Sequence, residues 1–257
     1  MVKVMTLNMR FGLADDGPNN WNFRKKALPA LLRNYASDVI GFQEVNDFQI
    51  DYLKDILSDY DYIGQRSPSP SFWQNNILFF QRPWQCIADD HFFLSSTPDI
   101  PSRSPNSRWP RQGTIGVLQN SRTDRVIVCA NTHFDFKPAV QTASAYILLE
   151  RLKAVAAGHP TILMGDFNTL PDSPCHQVLT GATRLPDRLS GPFKNIWQDS
   201  FPGTFHNFTG QSDGRHIDWV LYRGPLSLEA CRVIRETFNG FYPSDHFPVQ
   251  ADFTFNT

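Results

Sequence analysis

Short strand-like segments outnumber helical segments along this chain, and that ratio constrains the fold more than any other feature. Apolar runs and alternation predict strands, whereas apolar residues spaced three and four apart predict helices. The predicted strands cover residues 2–8, 37–42, 76–81, 86–93, 113–119, 125–132, 161–164, 217–222, 226–236 and 247–255. The predicted helices cover residues 24–35, 48–57, 143–157 and 172–179. Two sheets packed face to face with helices outside fit this count better than one doubly wound parallel sheet.

Two connections carry predictions of their own. Arg82-Pro83 separates two strand-like segments, so residues 76–81 and 86–93 are expected to pair with each other. Residues 95–111 are rich in Pro, Ser and Arg and are expected to form a long surface loop. No repeat of fixed period and no low-complexity linker divides the chain, so residues 1–257 are expected to form a single domain.

The composition excludes several classes of protein. A hydrophobic content of 41% is too high for a disordered chain. The 24 Lys and Arg residues nearly balance the 25 Asp and Glu residues, which excludes the broad basic field of a protein that coats long nucleic acid. A local basic pocket remains compatible with this balance. The four cysteines are far apart and lack the CxxC spacing of a zinc site.

The N-terminal segment and the hydropathy pattern bear on location. The first ten residues are too short and too polar for a signal peptide. No run of eighteen apolar residues is present, so a membrane-spanning helix is not expected. We therefore expect a cytoplasmic protein, although prior removal of an export signal would leave the same pattern.

Polar side chains cluster where the predicted strands end. Asp245 and His246 are adjacent, so on an extended chain they point to opposite faces and each needs a partner elsewhere. Asp166 and Asn168 follow the strand at 161–164 and share a face, which suits an oxygen site for a hard cation. The alternative for this second pair is a simple strand-to-turn transition.

Four further residues end or begin strands. Glu44 is a candidate for the main ligand of a Mg²⁺ ion. Asn8 is a candidate to orient Glu44 or to contact a phosphate oxygen. His133 is a candidate to donate a hydrogen bond to a phosphoryl oxygen. Asp218 is a candidate to hold His246 in one tautomer. Taken singly, each also has an ordinary interpretation as a helix-capping, turn or backbone-bonded residue.

Together these residues match the requirements for metal-assisted attack of water on phosphorus. The reaction needs a cation, a histidine backed by a carboxylate, and amide and imidazole donors for the remaining oxygens. Other hydrolytic chemistries lack their motifs. Ser244 has no Gly-x-Ser-x-Gly setting. Neither a glycine-rich phosphate loop nor a His-Glu-x-x-His motif occurs.

The order of the motifs resembles the endonuclease/exonuclease/phosphatase superfamily, especially its bacterial single-domain members and, more distantly, its CCR4-type branch. The motifs are Thr6-Leu7-Asn8, Phe42-Gln43-Glu44-Val45, Asn131-Thr132-His133, Gly165-Asp166-Phe167-Asn168, Ile217-Asp218 and Ser244-Asp245-His246-Phe247-Pro248-Val249. Trp21 and Arg24 resemble a Trp-x-x-Arg motif seen in both groups. The resemblance implies a DNase I-like four-layer α/β sandwich, with two packed mixed β-sheets flanked by helices, and a Mg²⁺ or Mn²⁺ cofactor.

The resemblance also implies roles for the residues. Glu44 would be the principal metal ligand, supported by Asn8 and assisted by Asp245. The other five form the expected catalytic group: Asp166 and Asn168 position water and phosphate, His133 stabilises the transition state, and Asp218 orients His246. His246 itself would act as a general base or as an electrostatic stabiliser.

Departures from the family pattern concern the substrate. Several nucleases of the family carry a carboxylate where this chain has Arg10, and an arginine there is expected to contact a phosphate. The loop at 95–111 contributes Arg103, Arg108, Trp109 and Arg111, which are expected to bind a phosphorylated or sugar-bearing molecule or to stack a base. The alternative is a solvated loop anchored by its tryptophan.

Three functions remain open from the sequence. The first is a phosphodiesterase or phosphatase for a small or lipid-like phosphoester. The second is a nuclease for single-stranded or damaged nucleic acid, and the third is an inactive binding module with the same fold. Near-neutral charge and the absence of lysine runs favour the first over the second. The intact set of motif residues disfavours the third.

Overall fold

The computed structural model describes residues 1–67, 69–156, 158–182 and 192–256. The strands are β1 (Val2–Asn8), β2 (Val39–Val45), β3 (Tyr60–Ile63), β4 (Asn75–Gln81), β5 (Trp84–Phe93), β6 (Gln112–Asn120), β7 (Val126–His133), β8 (Thr161–Asp166), β9 (Lys194–Asn195), β10 (Asp218–Arg223), β11 (Leu226–Val233) and β12 (Val249–Phe255). The α-helices are α1 (Trp21–Arg24), α2 (Leu28–Asn34), α3 (Asp47–Ile56), α4 (Pro138–Val155) and α5 (Pro174–Thr180).

The strands form two mixed six-stranded sheets. Sheet A has the order β11-β12-β1-β2-β4-β3, and sheet B has the order β5-β6-β7-β8-β10-β9. One apolar cluster fills the space between the sheets. A second lies between sheet A and helices α1 to α3, and a third lies between sheet B and helices α4 and α5. These four layers confirm the predicted DNase I-like sandwich.

The alternation of side chains explains why the central strands are almost continuously apolar. In β1, Val4 faces the core between the sheets, while its neighbour Met5 faces the helices outside sheet A. Successive side chains of a strand point to opposite faces, and both faces of this sheet are covered. A strand in this position therefore has to be apolar on both sides.

The predicted pairing around Arg82-Pro83 is wrong. Strand β4 pairs with β2 on one side and β3 on the other, so both of its edges are occupied. Strand β5 instead pairs with β6 at the edge of sheet B. The Arg82-Pro83 link therefore carries the chain from one sheet to the other.

The other differences are local. The helix predicted at 24–35 begins at Trp21 and is divided by a 3₁₀ turn at Lys25–Ala27, ahead of Pro29 in the first turn of α2. Strands β3 and β9 were not predicted from the pattern. No α-helix in the described ranges is long and apolar enough to cross a membrane.

The loop at 95–111 is only partly a surface loop. The residues buried in it are Ser95, Ser104, Ser107 and Arg111. The hydroxyl of Ser107 donates to Oδ2 of Asp135 at 2.5 Å, and the hydroxyl of Ser104 donates to the carbonyl of Leu94 at 2.9 Å. These bonds attach the end of the loop to the strands of sheet B.

Candidate active site

The strand pairing brings the polar strand ends to one edge of the sandwich. Strands β1 and β2 are parallel, and so are β7 and β8, so the carboxyl ends of each pair lie together. His133 is the register partner of Asp166, and Asp166 is also the partner of Asp218 at the start of β10. The register alone therefore gathers residues that are far apart in the sequence.

Gly165 permits the close approach of β7 and β8. Its φ is +150°, and a Cβ atom at this position would lie 2.0 Å from the carbonyl oxygen of Thr132. No side chain fits at that distance. The absence of a side chain at Gly165 therefore keeps Asp166 beside His133.

Glu44 is directed into the site by an irregularity in its strand. The register between β2 and β4 shifts between Phe42 and Val45, and Glu44 has a φ of +60°. A bulge of this kind re-aims a side chain, and a positive φ outside glycine is uncommon. The carboxylate accepts hydrogen bonds from the backbone N–H of Phe11 at 2.7 Å and from the side-chain amide of Asn8 at 3.2 Å.

Asn8 lies between the two carboxylates of Glu44 and Asp166. Its Nδ2 donates to Asp166 Oδ2 at 2.9 Å as well as to Glu44, while its Oδ1 accepts from the backbone N–H of Arg10 at 2.8 Å. The amide nitrogen, not the oxygen, thus faces the acidic groups. This orientation fixes the distance between Glu44 and Asp166.

Asp166, Asp218 and His246 form a buried group, with one potential metal-ligand atom from each lying within 4.8 Å of the others. Nδ1 of His246 lies 2.9 Å from Oδ2 of Asp218. Nε2 of His246 lies 3.9 Å from Oδ2 of Asp166. The bond to Asp218 therefore turns the far side of the imidazole towards Asp166.

The charges of this group perturb its ionisation. Burial and the charge of Asp218 raise the pKa of Asp166 to about 7. Burial lowers the pKa of His246, but the carboxylates of Asp218, Asp166 and Asp245 outweigh it and raise that pKa to about 10. At neutral pH the imidazole of His246 therefore carries both protons.

His133 is in the opposite state. The Nδ2 of Asn168 lies 2.9 Å from both the carbonyl oxygen of Phe134 and Nε2 of His133. Since that amide group donates to the carbonyl, Nε2 of His133 is assigned as an acceptor and Nδ1 as the protonated nitrogen. Burial and the charge of Arg111 lower the pKa of His133 well below its usual value, so the ring is neutral.

Arg111 packs against the face of His133. Its Nη1 lies 3.1 Å from Nδ1 and 3.0 Å from Nε2 of the ring. An atom this close to both nitrogens lies over the ring face, because an in-plane approach would collide with Cε1. The ring of Phe136 is also near, with its centroid 5.5 Å from Cζ of Arg111.

Arg10 and Asp245 are neighbours on another side of the site. Arg10 makes a two-pronged ion pair with Asp16, at 3.0 and 2.8 Å, and its Nε lies 3.7 Å from Oδ2 of Asp245. The carboxylates of Asp245 and Glu44 both act on the charge of Arg10, so the expected assistance of Asp245 at the metal site stays a prediction. The negative charges of Asp16 and Asp245 and the positive charge of Arg10 therefore offset each other.

Arg108 and Trp109 stay outside the cluster. The guanidinium of Arg108 lies 5.0 Å from the ring centroid of Trp109, and Trp109 is 51% exposed. Within the described ranges neither side chain makes a hydrogen bond or ion pair with the cluster. Trp109 is therefore not a buried anchor of the loop. Arg103 donates to the carbonyl of Ser107 at 2.7 Å and belongs to the loop's own structure.

Three buried polar residues that support the site lie in motifs noted in the sequence, but the sequence assigned them no role. Arg24 donates to the carbonyl oxygens of Met9, Arg10 and Pro243, at 2.7 to 2.9 Å. Nε2 of Gln43 donates to Oδ1 of Asn131 at 2.6 Å across the two sheets. In the sequence, Gln43 and Asn131 can be recognised as polar residues inside apolar strands, because a polar side chain in such a place is buried only when it is hydrogen-bonded.

The match to known proteins decides the family. The model of the Endonuclease/Exonuclease/phosphatase family matches residues 5–246. The chain belongs to this family. Its members are hydrolases that act on phosphoester bonds, and they use divalent metal ions.

Relatives and solved structures of the family differ in what their names state. Nocturnin of Mus musculus is 25% identical over 99% of this chain and 66% of its own length. A family member from Bacteroides thetaiotaomicron covers 100% of this chain and 98% of its own, at 23% identity and a TM-score of 0.89. A mannosyl-6-phosphatase from the same species covers 99% and 100%, at 23% identity and a TM-score of 0.88. These two likenesses concern the fold. The chain spans about half the length of the curated relatives that it matches.

Proposed function

We propose that this chain is a divalent-metal-dependent phosphoesterase that hydrolyses a phosphodiester or phosphomonoester of a small or lipid-like molecule. The observation that carries this proposal is the buried group of Asp166, Asp218 and His246, with Glu44 and His133 beside it. The carboxylates supply sites for a cation, and the imidazoles supply donors for phosphoryl oxygens. The formal net charge of −1 supports a small substrate over long nucleic acid.

The residues present fit a hard divalent cation. Glu44 and Asp166 offer carboxylate oxygens, which Mg²⁺ and Mn²⁺ prefer, and the side chain of Glu44 remains 17% exposed. Burial and the charge of Asp218 raise the pKa of Asp166, and a cation beside this carboxylate would offset both effects. When bound, the cation supplies stabilisation of negative charge on the phosphoryl oxygens. Asn8 positions both ligands, and Asp245 assists from beside Arg10.

The other roles in the reaction belong to side chains of the protein. A water oxygen forms the new bond to phosphorus as the bond to the leaving oxygen breaks. Asp166, held by the side-chain amide of Asn8 and facing Nε2 of His246, would position that water and take its proton. His246, protonated and oriented by Asp218, stabilises the phosphoryl charge, so the stabiliser role is favoured over the general-base role. Asn168 holds His133 in the tautomer whose Nδ1–H can donate.

A nuclease acting on single-stranded or damaged nucleic acid is the second candidate. Its support is the likeness to CCR4-Not 3'-5'-exoribonuclease subunits, one of which is 24% identical over 91% of this chain. The formal net charge of −1 weighs against it, since nucleic-acid binding depends on neutralising phosphates. Oligonucleotide cleavage that falls steeply with salt, without turnover of small phosphoesters, would favour this candidate.

The experiment is a metal-dependent turnover screen of phosphomonoesters, phosphodiesters, sphingomyelin and short oligonucleotides. Activity should vanish in EDTA and return with Mg²⁺ or Mn²⁺. His246→Ala and Asp166→Ala should each lower kcat by about a hundredfold or more while the circular dichroism spectrum is kept. Asp99→Ala is the control, because that side chain is 72% exposed and lies in an ion pair with Arg151. Full turnover in EDTA, or by either site variant, would rule the proposal out.

A further inference from the structure

Arg111 is a buried arginine without a carboxylate partner. The residue is 7% exposed, and its Nε makes no hydrogen bond. Within the described ranges no Asp or Glu oxygen lies within the 4.0 Å of an ion pair. The other two arginines of the site are satisfied: Arg10 pairs with Asp16, and Arg24 donates to three carbonyl oxygens. Since buried charges are normally paired, Arg111 has the character of a site for an anion.

The guanidinium lies in the active site and is held in place there. Its Nη1 rests on the ring of His133, whose Nε2 is 3.5 Å from Oδ2 of Asp166. The ring of Phe136 lies 5.5 Å from Cζ and is itself 68% exposed. Contact with two rings fixes the plane of the guanidinium before a substrate arrives, which lowers the entropic cost of binding.

We propose that Arg111 binds the phosphoryl group of the substrate and that the substrates are phosphomonoesters, not phosphodiesters. This inference rests on the proposed function. A monoester carries close to two negative charges at pH 7, because its second pKa is about 6, whereas a diester carries one. The buried guanidinium of Arg111, in addition to the metal ion, would offset the second negative charge of a monoester. The planar guanidinium also matches two phosphate oxygens at once.

The surroundings of Arg111 favour a terminal phosphate as well. The rings of His133 and Phe136 both lie against the guanidinium, so protein occupies part of the space around it. A diester needs room for a second ester group on its phosphorus. A phosphate at the end of a molecule needs room on one side alone.

A binding role and a structural role for Arg111 predict different stabilities. A structural arginine donates hydrogen bonds, so its removal leaves acceptors unsatisfied. Among the described residues, the guanidinium of Arg111 interacts with the rings of His133 and Phe136, and an unpaired buried charge is costly to the fold. Arg111→Gln should therefore keep or raise the melting temperature while it loses function.

The test compares p-nitrophenyl phosphate with bis(p-nitrophenyl) phosphate in the Mg²⁺-loaded protein, and measures binding of inorganic phosphate by calorimetry. The wild type should prefer the monoester. Arg111→Gln should lower kcat/KM for the monoester by about a hundredfold, lower that for the diester by about threefold or less, and weaken phosphate binding about tenfold or more. Arg151→Gln is the matched control, since Arg151 pairs with Asp90 and packs on Phe92 away from the site. It should keep activity and phosphate binding but lose stability.

Several outcomes would overturn the inference. The inference would be wrong if the wild type preferred the diester, or if Arg111→Gln lost activity equally on both substrates or kept unchanged phosphate binding. It would also be wrong if the melting temperature of Arg111→Gln fell while its activity stayed unchanged. A wild type that turns over neither substrate with Mg²⁺ or Mn²⁺ would count against the proposed function. In that case phosphate binding alone would still decide whether Arg111 is an anion site.

Discussion

Oδ2 of Asp218 and Nδ1 of His246 lie 2.9 Å apart in the buried centre of the site, although the two residues are 28 positions apart in the sequence. Asp218 is one of the groups that raise the pKa of His246 to about 10. Asp218→Asn should therefore allow His246 to lose its proton at a lower pH.

The expected consequence is a change in the pH profile. In Asp218→Asn the alkaline limb of kcat/KM should move to lower pH, and activity at pH 7 should fall by about a hundredfold. Profiles of the wild type and the variant between pH 5 and 10 measure this directly. Asp99→Asn, on the surface, should leave the profile in place. An alkaline limb at the same pH in Asp218→Asn would contradict the role given to this pair.

Gly165→Ala should damage both the fold and the site. The new methyl group would meet the carbonyl oxygen of Thr132 at 2.0 Å, so β7 and β8 have to separate and Asp166 has to move from His133. We expect a loss of more than about 4 kcal/mol in the free energy of unfolding, measured in urea. Gly240→Ala is matched, because its φ is +80° and nothing lies within 4 Å of the added atom. It should cost about 1–2 kcal/mol, from the backbone alone. Equal losses would show that the contact with Thr132 is unimportant.

His206 should make the protein sensitive to mild acid. Burial lowers its pKa to about 4, and the ring stacks on Phe247 while its Nδ1 accepts from the N–H of Gly210. Below pH 6.5 this histidine binds a proton in the unfolded chain but stays neutral in the folded chain. The free energy of unfolding should therefore fall as the pH drops from 6.5 to 4.

Thermal melts of the wild type and His206→Asn across this range measure the effect. The asparagine can still accept from Gly210 but does not titrate, so the acid-induced fall should be smaller in the variant. It should not vanish, because burial also lowers the pKa values of His91, His176 and His216. An identical fall in both proteins would show that His206 is not the group responsible.

Arg24→Met should destabilise the fold strongly. The guanidinium is fully buried and donates to the carbonyl oxygens of Met9, Arg10 and Pro243. The carbonyl of Arg10 keeps a second donor, Nε2 of Gln49 at 3.3 Å, whereas the carbonyls of Met9 and Pro243 lose the bond from Arg24. At about 1–3 kcal/mol for each of these two, the loss should be at least about 2 kcal/mol in urea unfolding. Arg33→Met, on the exposed side of α2, should change stability by about 0.5 kcal/mol or less. A similar small change in Arg24→Met would remove the structural role assigned to that residue.

The sequence predicted those features that depend on short stretches of chain. The strand end at Asn8 and the spacing of Asp166 and Asn168 are local, and so they were visible as apolar runs followed by polar residues. Pairing is not local. The Arg82-Pro83 link has the composition of a hairpin turn, but whether two strands pair depends on which edges remain open, and both edges of β4 are already occupied.

The burial of charged residues was equally hard to predict. Arg24 and Arg111 both lie inside the protein. Apart from the Trp-x-x-Arg motif that contains Arg24, the residues next to them do not distinguish them from surface arginines such as Arg33. Their surroundings come from segments far along the chain: Pro243 for Arg24 and His133 for Arg111. The loop at 95–111 was interpreted as surface for the same reason, since its serines find their partners only in the folded state.

The place of β12 in sheet A has a consequence for synthesis. Strand β12 lies between β11 and β1, so β1 finds one of its two neighbours in the sheet only after the chain has been made as far as β12. At about 5–20 residues per second this interval is on the order of ten to fifty seconds. During it, one edge of β1 is open to wrong partners, and the cluster around Asp166 lacks His246. A nascent chain that stalls before residue 246 therefore lacks both His246 and the strand that covers β1.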